Sequence, residues 1–113
     1  MIKSQITILI PLYNQEKYVA QTLTSILSQK TSFLYKIIII DDASTDNSIN
    51  IVKKFIKKYP NKIKLIKNKT NLKLLKTILK GYKAIKTEYF SVLDPDDYWT
   101  SPYKIQRAIN FLN

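Results

Sequence analysis

The chain has 113 residues, a length that suits one domain with one hydrophobic core. It contains neither Cys nor His, which excludes a disulfide framework, a thiol nucleophile, a His general base and a Cys/His zinc site. The formal net charge is +11, but the excess is almost entirely Lys, whereas base readout and bidentate phosphate clamping favour Arg. We therefore expect a globular domain with lysine-rich, solvated faces and no specific nucleic-acid partner.

The first strand and helix are predicted from apolar spacing. Ile6–Ile10 is a continuous run that Pro11 is expected to end. After the loop, Asn14 is predicted to cap a helix that carries Glu16 in its first turn. The helical period consists of Val19, Leu23, Ile26 and Leu27.

Ile37–Ile40 has four β-branched residues and no polar alternation, which predicts a central parallel strand covered on both faces. The strand is predicted to stop at Asp41–Asp42. Ala43–Ser48 then supplies turn and cap formers, and a second helix extends to Pro60. Ile63–Ile66 alternates with Lys, so it is predicted to lie at the sheet edge or to be half exposed.

A third helix is predicted from a stripe of apolar residues that is interrupted by Gly81, namely Leu72, Leu75, Ile78, Leu79, Tyr82 and Ile85. Tyr89–Leu93 predicts a fourth strand, which runs directly into Asp94–Asp97. Ser101 as N-cap and Pro102 as the first helical residue predict a closing helix.

The resulting βαβαβαβα order predicts an α/β domain with a mostly parallel sheet and helices on both faces. In open sheets of this kind, ligands bind beyond the carboxyl ends of the strands. Three strands end in polar segments, Pro11–Asn14, Asp41–Asp46 and Asp94–Asp97. Brought together at one edge of the sheet, these segments would form a single acidic cleft.

Three carboxylates lie within four residues at Asp94, Asp96 and Asp97. Like charges this close repel unless a cation or hydrogen-bond donors compensate. Mg²⁺ or Mn²⁺ is the metal class to expect, because these ions take oxygen ligands and usually bind one or two carboxylates plus substrate phosphates. An exposed acidic turn that caps the closing helix is the alternative interpretation.

Asp41, Asp42 and Tyr13 are candidates for nucleotide binding. An Asp at the carboxyl end of a strand commonly bonds a ribose hydroxyl or a base N–H, although Asp is also a common N-cap. Tyr13 offers an aromatic face near both acidic segments for a nucleobase, or it covers the core. Ser44 and Asp46 suit helix capping better than binding.

Three segments together resemble the motifs of family 2 glycosyltransferases. Ile6–Glu16 resembles the opening of the family, Ile39–Asp46 its second block, and Leu93–Trp99 its metal-binding aspartate motif, which is followed by Pro102–Lys104 and Gln106. The three blocks occur in the family's order and cover about the whole chain. The chain is thereby identified as resembling the N-terminal, nucleotide-binding half of that family.

The resemblance implies a Rossmann-like half of a nucleotide-diphospho-sugar transferase, with a UDP-sugar favoured as donor. By position, Pro11, Tyr13 and Glu16 would line the base and ribose pocket. Asp41 or Asp42 would contact the base.

The resemblance also implies metal-assisted transfer of the sugar to an acceptor hydroxyl, in surface polysaccharide or glycoconjugate synthesis. Asp94 would meet the ribose or the sugar, Asp96 would ligate the metal that bridges the diphosphate, and Asp97 is a further candidate ligand. The family usually inverts the anomeric configuration with a carboxylate base, which is expected beyond Asn113. The acceptor-binding half is thus expected to be absent, and residues 1–113 are expected to bind the donor without turnover.

Two positions depart from the family pattern. Where many relatives have a Gly-rich, Arg-containing helix start, this chain reads Asn71–Ile78, and Lys73 or Lys76 is expected to substitute as a point charge. Ala43 stands where relatives often carry Gly.

Two other functions stay open at this point. A phospho-acceptor signalling domain is also doubly wound, but its acidic pair follows the first strand, whereas the pair Asp41–Asp42 of this chain follows the second. A basic, non-catalytic interaction module would bind anionic partners in a salt-dependent way.

The location expected from the sequence is cytoplasmic. No apolar run reaches the roughly 20 residues that cross a bilayer, and Met1–Gln5 lacks the features of a secretory signal. Weak attraction of the lysine-rich faces to anionic lipid would place the protein at the inner face of the membrane.

Overall fold

The computed structural model describes residues 4–112 as a four-stranded sheet with four helices. The elements are β1 (Ser4–Leu12), α1 (Val19–Leu27), β2 (Leu34–Asp41), α2 (Ser48–Lys58), β3 (Ile63–Lys67), α3 (Lys73–Lys83), β4 (Tyr89–Val92) and α4 (Lys104–Leu112). The strand order is β3-β2-β1-β4, and every pairing is parallel. The predicted α/β class, the alternating order and the edge position of the third strand are confirmed. Met1–Lys3 and Asn113 lie outside the described residues.

The two central strands, β1 and β2, are apolar on both faces of the sheet. Residues that alternate along a strand point to opposite faces, so one face carries Ile8 and Ile37 while the other carries Leu9 and Ile38. Helices α1, α2 and α4 pack on the first face, and α3 packs on the second. The prediction from Ile37–Ile40 of a central strand covered on both faces is therefore confirmed.

The sequence predicts that Pro11 ends the first strand. This prediction is wrong, because β1 continues to Leu12. Successive residues of a central parallel strand form their backbone hydrogen bonds alternately with the strand on one side and the strand on the other. The carbonyl of Leu9 accepts from the N–H of Leu93, which follows β4, and the carbonyl of Leu12 accepts from the N–H of Asp42, which follows β2. The nitrogen of Pro11 therefore faces the β4 side, where pairing has already stopped at Val92. A residue without an N–H is tolerated at that point.

The third helix packs through a stripe that matches the predicted one only in part. Thr77 and Gly81 are buried against the sheet, and a Cβ atom at Gly81 would lie 2.5 Å from Leu9 Cδ1 and overlap Ile40 as well. Because these small residues let α3 approach the strands closely, Leu75, Leu79 and Tyr82 of the predicted stripe turn outward, whereas Ile78 and Ile85 do pack against the sheet.

Outward apolar side chains of α3 lie beside exposed apolar residues on one face of β4. We call this set of residues the α3–β4 apolar surface, and it consists of Leu74, Leu75, Leu79, Tyr82, Phe90 and Val92, which are 40–70% exposed. The rings of Tyr82 and Phe90 meet edge to face at 5.3 Å. Within the described residues, this side of β4 has no covering helix.

The remaining boundaries differ by a few residues. β4 ends at Val92, although Leu93 still donates its N–H to the carbonyl of Leu9. α4 begins at Lys104, and the Ser101 hydroxyl accepts from the N–H of Tyr103 in the preceding turn, so Ser101 is not the direct N-cap of α4. None of the helices in residues 4–112 has the length and apolar character that crossing a bilayer requires.

Candidate functional site

The strand order places a crevice between β1 and β4. The chain builds β1, β2 and β3 outward in one direction and then returns to β4 on the other side of β1. Ligands of open α/β sheets bind at such a reversal, outside the carboxyl ends of the strands. The segments that follow β1 and β4, which begin at Tyr13 and Leu93, therefore flank the expected binding position.

A cleft of about 270 Å³ lies at this end of the sheet. Its lining is Pro11, Leu12, Tyr13, Asp42, Asn71, Lys73, Leu74 and Thr77. The structure thus brings together three of the predicted nucleotide-binding residues, Pro11, Tyr13 and Asp42. Tyr13 is 46% exposed, so its ring is available to a ligand and does not serve as core.

Asp42 is buried in a set of hydrogen bonds at the start of α3. Its Oδ1 accepts from the N–H of Leu72 at 2.6 Å and from Asn68 Nδ2 at 3.0 Å, and its Oδ2 accepts from the N–H of Lys73 at 3.1 Å. Burial by itself raises the pKa of the Asp42 carboxyl, but the donors from Leu72, Asn68, Thr77 and Lys73 outweigh it and hold the pKa below its usual value. Asp42 is therefore an ionised acceptor at neutral pH.

Asn68 and Thr77 belong to this site although neither is predicted from the sequence. Asn68 Nδ2 also donates to Thr77 Oγ1 at 3.1 Å, and Lys80 Nζ donates to Asn68 Oδ1 at 2.8 Å. Asn68 directly follows the third strand, and a polar residue at that place is the signal that could have identified it.

Asp41 lies on the opposite face from Asp42. It is the last residue of β2 and is 1% exposed, with Oδ2 accepting from the N–H of Ser44 at 3.0 Å. Among the described atoms, its Oδ1 is buried without a hydrogen-bond partner. Asp41 is not among the residues that line the cleft.

The loop after β1 is held by the loop after β2. Asn14 has a φ of 48°, and its side-chain oxygen accepts from the N–H of Thr45 at 2.8 Å, while its own N–H donates to Ser44 Oγ. The Glu16 carboxylate accepts from the N–H of Asn47 just before α2, at 3.1 Å.

These contacts correct two predictions about the first helix. α1 begins at Val19, with no side-chain cap and no acidic residue in its first turn, so Asn14 is not its N-cap and Glu16 is not in its first turn. The two side chains instead satisfy backbone groups of the neighbouring loop. Glu16 is also outside the lining of the cleft.

The three carboxylates after β4 form one exposed cluster. One oxygen from each of Asp94, Asp96 and Asp97 lies within 4.8 Å of the others. This separation allows two or three of them to ligate one ion after small side-chain rotations, and three carboxylates are a donor set that suits Mg²⁺ or Mn²⁺. The residues present therefore fit a hard divalent cation.

The backbone under this cluster is anchored to α1. Thr22 Oγ1 shares its single O–H between the carbonyl of Pro95, at 2.7 Å, and that of Asp97. Ser25 Oγ accepts from the N–H of Trp99 at 3.1 Å. Pro95 is buried while the carboxylates around it are exposed. The loop is thus fixed from below and presents its acidic groups to solvent.

Two departures from the family pattern have local structural effects. Ala43 adopts a φ of 63°, a left-handed conformation that favours Gly. Lys73, at the first residue of α3, adopts a φ of 69° and lines the cleft, whereas Lys76 is exposed outside the lining.

Comparisons with known proteins agree on one family. The model of glycosyl transferase family 2 matches residues 7–113. The chain is 34% identical over 101 residues to an uncharacterized protein of Mycobacterium tuberculosis, covering 89% of this chain and 29% of that protein. It is 32% identical over 108 residues to the putative glycosyltransferase EpsE of Bacillus subtilis, covering 96% of this chain and 38% of EpsE.

Solved structures show the same likeness. S. aureus TarS in complex with UDP has a TM-score of 0.85 at 27% identity, over 96% of this chain and 32% of that one. Mannosyltransferase PcManGT from Pyrobaculum calidifontis, in complex with GDP-Man and Mn²⁺, is similar in fold, with a TM-score of 0.88 at 18% identity over 97% of this chain and 32% of that one. The chain thus spans about a third of the length of these relatives.

Proposed function

The chain belongs to glycosyltransferase family 2, and from this we propose that it binds a nucleotide-diphosphate sugar across the carboxyl ends of β1, β2 and β4. The observation that carries the proposal is the juxtaposition of Pro11, Tyr13 and Asp42 in one cleft at the carboxyl ends of β1 and β2, beside the start of α3. Family membership favours this function over the phospho-acceptor domain and the basic interaction module.

Base recognition is assigned to Tyr13 and Asp42. The exposed ring of Tyr13 provides a stacking surface. Asp42 lines the cleft, and its donors hold the carboxyl ionised, so it presents an anionic acceptor to a bound base. An ionised acceptor suits a base that offers a ring N–H, such as uracil or guanine, and rejects one with a ring acceptor at that place.

We propose a UDP-sugar as donor, in line with the UDP named for TarS. Asp41 and Glu16, which are outside the cleft lining, are assigned to holding the loops and not to the nucleotide. Lys73, which lines the cleft, supplies the point charge that faces the diphosphate.

The metal is assigned to Asp96, with Asp94 and Asp97 as the neighbouring ligands. A divalent cation at this place supplies compensation for negative charge that develops on the diphosphate leaving group. The chain's own contribution is positional, because Thr22 fixes the backbone from which the carboxylates project. We also assign to Asp94 a contact with the ribose or the sugar.

The complete reaction involves more than residues 1–113. We propose that the sugar is transferred with inversion to an acceptor hydroxyl, and that the general base and acceptor site come from the two thirds of the relatives that this chain does not cover. Residues 1–113 alone would then bind the donor without turning it over. Polysaccharide or glycoconjugate synthesis on the cytoplasmic side, with weak lysine-mediated attraction to anionic lipid, is the proposed setting.

The test is a calorimetric titration of UDP and GDP, with and without Mn²⁺. We expect Mn²⁺ to strengthen UDP binding, and Asp96→Ala to abolish the Mn²⁺ dependence. Glu88→Ala is the matched control, because Glu88 is an exposed carboxylate that precedes the same strand at its other end. Metal-dependent binding that survives Asp96→Ala would remove the metal assignment, and absence of nucleotide binding would remove the function.

A further inference from the structure

A second pocket of about 270 Å³ lies at the amino ends of β2 and β3, the end of the sheet opposite to the cleft. We call it the basal pocket, and its lining is Leu34, Tyr35, Lys36, Tyr59, Pro60, Asn61 and Lys62. Most of these residues expose apolar atoms, while two lysines bring positive charge. The proposed donor site uses none of them.

The two lysines are held in defined positions. Lys36 Nζ donates to the carbonyl of Asn61 at 2.5 Å, and Lys62 Nζ lies 3.8 Å from the centroid of the Tyr35 ring. Tyr35 is in turn fixed by the bond from its hydroxyl to the carbonyl of Ile26 at 2.8 Å. Each of the two ammonium groups therefore has a defined partner in the fold, the Asn61 carbonyl for Lys36 and the Tyr35 ring for Lys62.

No carboxylate is among the described residues that line this pocket. Burial and the positive charge of Lys36 lower the pKa of Lys62, and no carboxylate is among the groups that shift it. Seven of the eight acidic residues are at or after the carboxyl ends of strands, at the other end of the sheet: Glu16, Asp41, Asp42, Asp46, Asp94, Asp96 and Asp97. The eighth, Glu88, is outside the pocket lining.

We propose that the basal pocket binds a small organic phosphate with an apolar body. The phosphate would lie between Lys36 and Lys62, where a double negative charge relieves the repulsion between two ammonium groups. The apolar body would pack on Tyr59, Pro60 and Leu34. This site is independent of the donor cleft and needs no divalent metal.

The experiment is a ¹⁵N NMR titration of the 113-residue chain, without divalent metal, with phenyl phosphate, inorganic phosphate and neutral benzyl alcohol. We expect saturable shifts confined to residues 34–36 and 59–62, with phenyl phosphate binding more tightly than either other probe. Lys62→Gln should weaken phenyl phosphate at least fivefold. Lys64→Gln, which removes an exposed lysine of β3 outside the pocket, should leave the affinity unchanged.

The outcomes separate this proposal from non-specific attraction and from the donor site. Shifts spread evenly over the surface lysines, or equal effects of Lys62→Gln and Lys64→Gln, would show only an ion atmosphere and overturn the proposal. Equal affinity for phenyl and inorganic phosphate would remove the apolar subsite. If Lys62→Gln loses its dispersed spectrum, Lys36→Gln carries the same test. Asp96→Ala should leave all of these results unchanged.

Discussion

Replacing Asp42 by Asn should cost the fold more than the same change at its neighbour Asp41. The Asp42 carboxylate accepts from the N–H groups of Leu72 and Lys73 and from the amide of Asn68. A hydrogen bond to a charged group contributes about 1.5–3 kcal/mol. The Asn side chain has the same shape and can keep some of these bonds, but its NH₂ group then faces a backbone N–H, and two donors cannot bond to each other. We expect Asp42→Asn to lower the free energy of unfolding by about 3 kcal/mol.

Asp41→Asn is the matched control. Asp41 accepts one recorded bond, from the N–H of Ser44, and an amide oxygen can accept it equally well. The other carboxylate oxygen is buried without a partner among the described atoms, so removing the charge lowers a desolvation cost. We expect a change below about 1 kcal/mol, measured for both variants by urea unfolding with circular dichroism.

The pH dependence gives a second readout for Asp42. Its folded-state pKa is held below the unfolded value of about 3.9, so the contribution of the carboxylate is fully present above that value and is lost as the pH falls through the folded pKa. The difference in stability between wild type and Asp42→Asn should be constant from about pH 7 to pH 5 and should narrow below about pH 4. Equal losses for the two variants at pH 7, or a difference that persists unchanged into acid, would refute this account of Asp42.

Two further substitutions test packing and loop anchoring. Gly81→Ala should lower the free energy of unfolding by about 1–2 kcal/mol, because overlap of the new methyl group with the fully buried side chain of Leu9 outweighs the gain in helix propensity. A variant that is more stable than the wild type in urea unfolding would contradict the close approach of α3 to the sheet. Thr22→Val removes the donor to the carbonyl of Pro95 and should weaken Mn²⁺ binding, measured by calorimetry, about tenfold. Urea unfolding of the variant confirms that the fold persists. An unchanged affinity for Mn²⁺ would show that Thr22 does not position the carboxylate cluster.

The fold follows largely from local patterns in the sequence. Ile37–Ile40 favours a strand covered on both faces, and the alternation of strands and helices leads to a parallel sheet. The orientation of α3 could not be predicted, because apolar periodicity favours Leu75 and Leu79 as the packed stripe. The orientation of α3 is decided by its close approach to the sheet at Thr77 and Gly81. How close that approach can be depends on Leu9 and Ile40, the side chains opposite Gly81, which are distant in the sequence.

The candidate site was predictable by segment but not by side chain. Parallel strands bring their carboxyl ends together, so the segments after β1, β2 and β4 had to be neighbours. Which of Asp41 and Asp42 shares a face with Pro11 and Tyr13 depends on the register that pairs Leu12 with Asp41. That register is a property of the assembled sheet, and the roles of Asn14 and Glu16 likewise depend on a loop about 30 residues away.

The α3–β4 apolar surface and the net charge of +11 act in opposite directions on the solution behaviour of the chain. Like charge keeps copies of the chain apart when little salt is present, whereas exposed leucines and aromatic rings draw them together. Added salt shortens the reach of the repulsion, from about 10 Å at 0.1 M to about 3 Å at 1 M, and leaves the apolar attraction in place. Concentrated salt should therefore make this protein cluster, and dilute buffer should keep it dispersed.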